Sequence, residues 1–282
     1  MEVLTIVLSG LLSLASSTGV IANSIAASKI RSQIISVEEQ KVRIDNSPSY
    51  AVARGKLQKV RVAARGATVK PNLRIEALEL ETDRIDLNIS QLDLNSIDEL
   101  RDALNRPFQG AVRLVLTESD LNRALQSPEI LAQIQQALNR SIVRKAGSTN
   151  IAYRLLDLRL QFRDNNRLGI DLKLARPISN FESQNESLDR AKTSKPKELM
   201  MNLEVGIETV GGKKIRLINP EGTVNGRPMS SRLLNGFAVG ISDRFNLDLL
   251  ERDGILARIL QLEIGRDKIE LASFLKLETK SP

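Results

Sequence analysis

Aliphatic residues fall at every second position along much of this chain, with a charge or an amide between them. Leu73 to Glu81 reads LRIEALELE, Leu168 to Leu174 reads LGIDLKL, and Met201 to Glu208 reads MNLEVGIE. Ile85 to Ile89, Leu260 to Ile264 and Ile269 to Leu271 repeat the alternation over shorter runs. Period two is the strand period and places all the apolar side chains on one face. Such sheets are commonly antiparallel, wet on one side and apolar on the other. The pattern predicts strands over 41–45, 55–69 and 109–116, and over 73–89 a long strand or a hairpin around Thr82-Asp83. It also predicts three hairpins. The first joins 151–163 to 167–175 through Asp164-Asn165-Asn166. The second joins 200–208 to 214–218 through Val210-Gly211-Gly212, and the third joins 259–264 to 268–277. Residues 219–228 read as irregular, 229–255 as helix mixed with an alternating stretch at 245–249, and the polar run 176–198 as a flexible loop.

Helical signals are fewer. Thr117-Glu-Ser-Asp120 reads as a helix cap, and Ser127-Pro128-Glu129 restarts a helix whose stripe includes Ile130, Ile134 and Leu138. Ser96-Ile-Asp-Glu99 is a capping box ahead of Pro107. Val3 to Ser28 carries no charged side chain. Residues 1–29 fit a helix belonging to the domain, a signal sequence, or a membrane anchor. A signal sequence expects a positive start, whereas this one opens on Glu2. The serines from Ser9 to Ser24 dilute a spanning segment. Residues 30–282 read as one domain.

Composition removes whole classes of chemistry. The chain has no Cys and no His, so thiol nucleophiles, His-based dyads and the usual zinc ligands are absent. Aromatic residues make up 3% with no Trp, so the interior is built from Leu, Ile and Val, and there is no stacking platform for single-stranded nucleic acid. The net charge of +7 is spread along the chain. Local concentrations occur at Arg54, Lys56, Lys59 and Arg61 and at Lys213 and Lys214, which makes them candidates for contact with an anionic membrane surface. On alternating strands the same residues also serve as an ordinary solvated face. Carboxylate pairs occur at Asp83 with Asp86 and at Glu118 with Asp120. Turn formation accounts for the first and helix capping for the second. Gly211-Gly212-Lys213-Lys214 lacks the following helix that a phosphate loop requires. No enzyme, cofactor or metal is expected.

Two helices cannot blanket about ten strands spaced about 4.8 Å apart. The sheet must curl, split into two that cover each other, or leave an apolar lining for a ligand. Ala53-Arg-Gly-Lys-Leu-Gln-Lys-Val60, Leu73 to Asn88 and Val112 to Leu125, above all Leu116-Thr-Glu-Ser-Asp-Leu-Asn122, resemble the LmeA-like phospholipid-binding family. The likeness runs from about Ile30 to the end. It implies an α+β fold in which a strongly curved antiparallel sheet wraps one or two long helices, related to tubular lipid-binding folds. It also implies phospholipid or another acyl lipid as partner, and a membrane-associated or envelope location.

On that reading the cavity lining comes from Leu8 and Leu11, from Leu78, Leu80, Leu114 and Leu116, from Ile134 and Leu138, from Leu203 and Val205, and from Leu260 and Leu262. The competing expectation is a membrane- or envelope-associated scaffold with a sealed core and no ligand.

Overall fold

A computed structural model describes residues 34–45, 51, 54–88, 101–145, 153–175 and 198–280, without the side chains of 137–145. The N-terminal segment 1–29, the capping box at 96–99 and all but the last residue of the expected loop lie outside these residues.

In chain order the strands are β1 (Glu39–Asp45), β2 (Lys56–Leu57), β3 (Lys59–Lys70), β4 (Leu73–Thr82), β5 (Ile85–Asp86) and β6 (Phe108–Thr117). They continue with β7 (Arg154–Arg163), β8 (Arg167–Ala175), β9 (Glu198–Val210), β10 (Lys214–Val224), β11 (Arg227–Pro228), β12 (Ile255–Ile264) and β13 (Lys268–Leu277). The helices are α1 (Glu118–Leu125), α2 (Pro128–Lys145) and α3 (Ser231–Ser242), with a 3-10 helix at Leu247–Asp253.

The strands split into a six-stranded sheet ordered β1-β3-β4-β6-β13-β12, a five-stranded sheet ordered β11-β10-β9-β8-β7, and a small β2-β5 pair. The pairing is antiparallel throughout and is not closed into a barrel.

Alternation decides which face is inner. In the larger sheet Val62, Leu80, Val112 and Ser273 lie across from one another, as do Leu78, Leu114, Leu271 and Leu262. The opposite face carries Lys41, Ala63, Glu79, Arg113 and Ala272 in one cross-strand row. Gly66 sits within β3 at φ +58°, a conformation open to glycine at little steric cost, and marks a kink in that strand.

The two large sheets meet at β12. The Ile259 N–H donates to the Gly212 carbonyl at 2.7 Å, so the tip of the β9–β10 hairpin rests on the outer edge of β12. A Cβ on Gly212 would fall 2.8 Å from the Ile259 carbonyl oxygen, and its φ of +64° also demands glycine. The β7–β8 tip docks on the same edge, with the Ile264 N–H donating to Asn166 Oδ1 at 2.7 Å.

Two expectations are corrected here. Residues 219–228 are not an irregular connection. A bulge between Ile218 and Glu221, with Asn219 at φ +46°, absorbs the break, and β10 resumes to Val224. Residues 245–249 are not a strand. Asn246 Oδ1 accepts the Asp248 N–H at 3.0 Å and caps the 3-10 helix instead.

Candidate functional site

The inner face of the six-stranded sheet is sealed at one end and open in the middle. At the sealed end Val60, Val62, Leu78, Leu80, Phe108 and Leu277 are buried beneath Leu57, Ile85, Leu87 and Leu104. On the neighbouring strands, Val112, Leu114 and Leu116 of β6 and Ile269, Leu271 and Leu275 of β13 are only partly buried. These are the fourth and fifth strands of six, where full burial is the usual outcome. Their exposure is therefore not an edge effect.

The five-stranded sheet repeats the mixture. Leu158, Phe162, Leu203 and Val205 are buried, while Leu160, Leu168, Ile170, Leu172 and Ile207 on the same face remain half-open.

α1 is the bracket between the sheets. Thr117 Oγ1 accepts the Asp120 N–H at 3.1 Å and caps the helix. Asp120 is 3% exposed and is satisfied by Thr117 Oγ1 at 2.8 Å, Arg74 Nη1 at 2.9 Å and Arg123 Nη1 at 3.1 Å. Glu118, Asn122 and Gln126 recur every fourth residue, so they share one side of the helix. They meet the free edge of β7. Glu118 Oε2 accepts the Phe162 N–H at 2.6 Å, Asn122 bonds both the N–H and the carbonyl of Leu160 at 2.8 Å, and Gln126 donates to the Leu158 carbonyl at 2.8 Å. Gln135 of α2 extends the row to the Tyr153 carbonyl and the Leu155 N–H, both at 2.6 Å. The sequence reading missed this row, although the spacing of the three polar residues signals it. The side chains stand in for a neighbouring strand and blunt an exposed edge. Glu118 and Asp120 thus hold structural bonds, and Asp86 is held by Asn105 and Lys56.

The outer face of the six-stranded sheet is a lattice of ion pairs. Arg61 bonds Asp45 at 2.7 Å and Glu81 at 2.9 Å, and Lys59 bonds the same Glu81. Arg113 bonds Glu270 at 2.8 Å and Glu79 at 3.2 Å. Hydrogen bonds from Lys59 and Arg61 hold the Glu81 carboxyl below its ordinary range, and those from Lys268 and Arg113 do the same for Glu270. Two depressions of about 420 and 580 Å³ lie on this face, both bordered by Lys41, Ala63, Glu79 and Arg113. Their charged rims do not suit a hydrocarbon.

The sequence-predicted lining residues do not all come together. Leu114, Leu116 and Leu262 lie on the half-open stretch. Leu78 and Leu80 belong to the sealed end, and Leu203 and Val205 are buried in the other sheet. Ile134 is half-buried on α2. A bulge between Ile259 and Gln261 leaves Leu260 65% exposed, at the border of the smaller depression on the outer face. Leu8, Leu11 and the side chain of Leu138 lie outside the described residues. Of the basic candidates, Lys59 and Arg61 sit in the ion-pair lattice. Lys213 bonds Asp248 at 2.7 Å, Lys214 bonds Asp243 at 2.9 Å, and Lys56 lies 3.9 Å from Asp86. Arg54 is exposed beside β2. Among the described residues, no three His, Cys, Asp or Glu side chains converge on a metal-sized site, and no helix is long and apolar enough to cross a membrane.

No curated protein matches the chain. A family model described as LmeA-like phospholipid-binding matches residues 18–274, which takes in α1 to α3 and all of the two large sheets except the last three residues of β13. The match covers most of the chain, and the chain belongs to the LmeA-like phospholipid-binding family.

Proposed function

We propose that the protein binds phospholipid or another acyl-chain lipid without converting it, holding the chains against the half-open inner faces of the two sheets. One observation carries the reading: Leu114, Leu116, Leu271 and Leu275 stand on central strands and are left partly uncovered. Covering them with hydrocarbon gains about 0.8 kcal/mol for each methylene removed from water. The surface is aliphatic and almost free of rings, which suits disordered acyl chains more than a flat or aromatic ligand. The sheets, bent together at β12 and bracketed by α1, would then form a trough open to a lipid tail, in the manner of a tubular lipid-binding fold. A bound lipid offers a route to carriage between membranes, with the protein acting at a cell envelope or membrane surface. The absence of Cys and His fits a binding role.

The test is extraction of lipid from the purified protein, together with uptake of a fluorescent acyl probe. Co-purified phospholipid and saturable uptake are expected. An empty protein that takes up no probe would point to the sealed scaffold instead. A Leu114→Trp side chain should occupy the trough and lower uptake on the order of tenfold without lowering the melting temperature.

A further inference from the structure

Among the described helices, α3 is the least polar. Its twelve residues carry a single charge, Arg232. The helix covers β10 with Leu234 and Ala238, and Ser242 Oγ accepts the Leu217 N–H at 2.9 Å. At about 100° per residue, Leu233, Gly236, Val239 and Gly240 point away from that contact. Val239 is 60% exposed and Leu233 50%. The chain then continues into Phe245 and Leu249, 52% and 49% exposed. A surface helix normally turns charges to water, and a gathering of apolar residues there marks a contact surface.

The charges around α3 differ from those on the sheets. Arg227 in β11, Arg232 in the first turn of α3 and Arg244 just beyond its last turn are exposed, and none has an ion-pair partner among the described residues. Arg61, Arg113 and Arg167, by contrast, each bond two carboxylates. Lys213 and Lys214, close by, are neutralised by Asp248 and Asp243. The helix dipole does not account for Arg232, because a cation is disfavoured at a helix N-terminus.

We propose that α3, with Phe245 and Leu249, is the face by which the protein docks on an anionic bilayer. Leu233, Val239, Phe245 and Leu249 enter the boundary of the acyl chains, and Arg227, Arg232 and Arg244 meet lipid phosphates. Charge complementarity selects a membrane over a neutral apolar partner, and the combination of apolar side chains with a cationic rim is that of interfacial helices. The docking face does not depend on a lipid in the trough, so either could hold without the other.

The chain has no Trp, so Val239→Trp adds a single reporter to the full-length protein. Its emission is expected to shift to the blue on vesicles of phosphatidylcholine with phosphatidylglycerol, and to be quenched by brominated acyl chains. Partitioning should weaken by about fivefold for each arginine removed in R227Q/R232Q/R244Q. In the V239W background it should weaken on the order of tenfold in L233S/L249S. Urea-unfolding midpoints should be unchanged in both variants, which shows that they fold, and acyl-probe uptake in vesicle-free solution should not differ from that of the parent protein. Unshifted Trp emission would overturn the proposal, as would equal partitioning onto pure phosphatidylcholine. Loss of binding in K213Q/K214Q but not in the arginine variant would overturn it too.

Discussion

Two neighbouring regions of the six-stranded inner face carry the same alternating pattern and meet different fates. Val60, Val62, Leu78 and Leu80 are roofed by Leu57, Ile85, Leu87 and Leu104. Leu114, Leu116, Leu271 and Leu275 are as aliphatic, lie on strands as central, and stay partly uncovered. The difference therefore comes from the cover and not from the strands. The roof is built locally, from the β2–β5 pair and the chain at 101–104 just before β6. A fold that needed a closed core could have extended it. One sheet thus serves two ends: a sealed anchor that contributes stability and an open stretch that is free to bind.

Truncation should separate these roles most sharply. Phe108 is among the most deeply buried side chains, and Phe108→Ala should cost about 3–5 kcal/mol in urea unfolding through lost contacts and the cavity left behind. Leu80→Ala, in the same cluster, should cost about 2–5 kcal/mol. Leu114→Ala should cost less, about 1–2 kcal/mol, since part of that side chain stays exposed to water. Equal losses at Leu80 and Leu114 would erase the distinction between the two regions.

The strands and their hairpins were legible because their turns declare themselves. Asn165 and Asn166 stand at φ +60° and +56°, and Gly211 and Gly212 at +58° and +64°, the positive values that tight hairpins require. Bulges were not legible: Asn219-Pro220 looks like a terminator, yet the sheet resumes past it. Five alternating residues at 245–249 could not distinguish a strand from a capped 3-10 turn, and the side chain of Asn246 decided it. The open stretch was least legible of all. Periodicity shows which residues share a face, but whether that face is roofed depends on Leu57, Ile85 and Leu104, far away in sequence. The bulge at Leu260 shows the same limit from the other side, because one extra residue turned a predicted lining leucine outward.

The edge of β7 offers a milder perturbation. Asn122→Ala strips partners from both backbone groups of Leu160, which sit against α1 and only partly reach water. Leaving two such groups unpaired should cost about 2–3 kcal/mol. Asn122→Asp keeps the acceptor for the Leu160 N–H and loses the donor, so it should cost about half as much. Urea unfolding reads both. If the row only shields an edge, acyl-probe uptake should survive in whatever fraction remains folded. Uptake lost from a fully folded Asn122→Ala protein would instead make α1 part of the binding surface.

The smallest effect lies on the outer face, where the lattice adds pH dependence without closing anything. Glu81 and Glu270 are held below the ordinary carboxylate range by the cations bonded to them. A carboxylate whose folded pKa is depressed contributes stability above its unfolded pKa, about 4.3 for Glu, and loses it as pH falls through the folded value. The melting temperature should therefore be flat from neutral pH down to about 5 and decline below that. Glu81→Gln should make the decline shallower and leave the neutral plateau slightly lower. Glu81 is half exposed, so added salt should shrink the difference. Acyl-probe uptake measured over the same range should not follow the titration of Glu81, because that carboxyl lies on the opposite side of the sheet from Leu114. An uptake curve that tracked it would tie the charged face to the ligand and undo the division of labour drawn between the two faces.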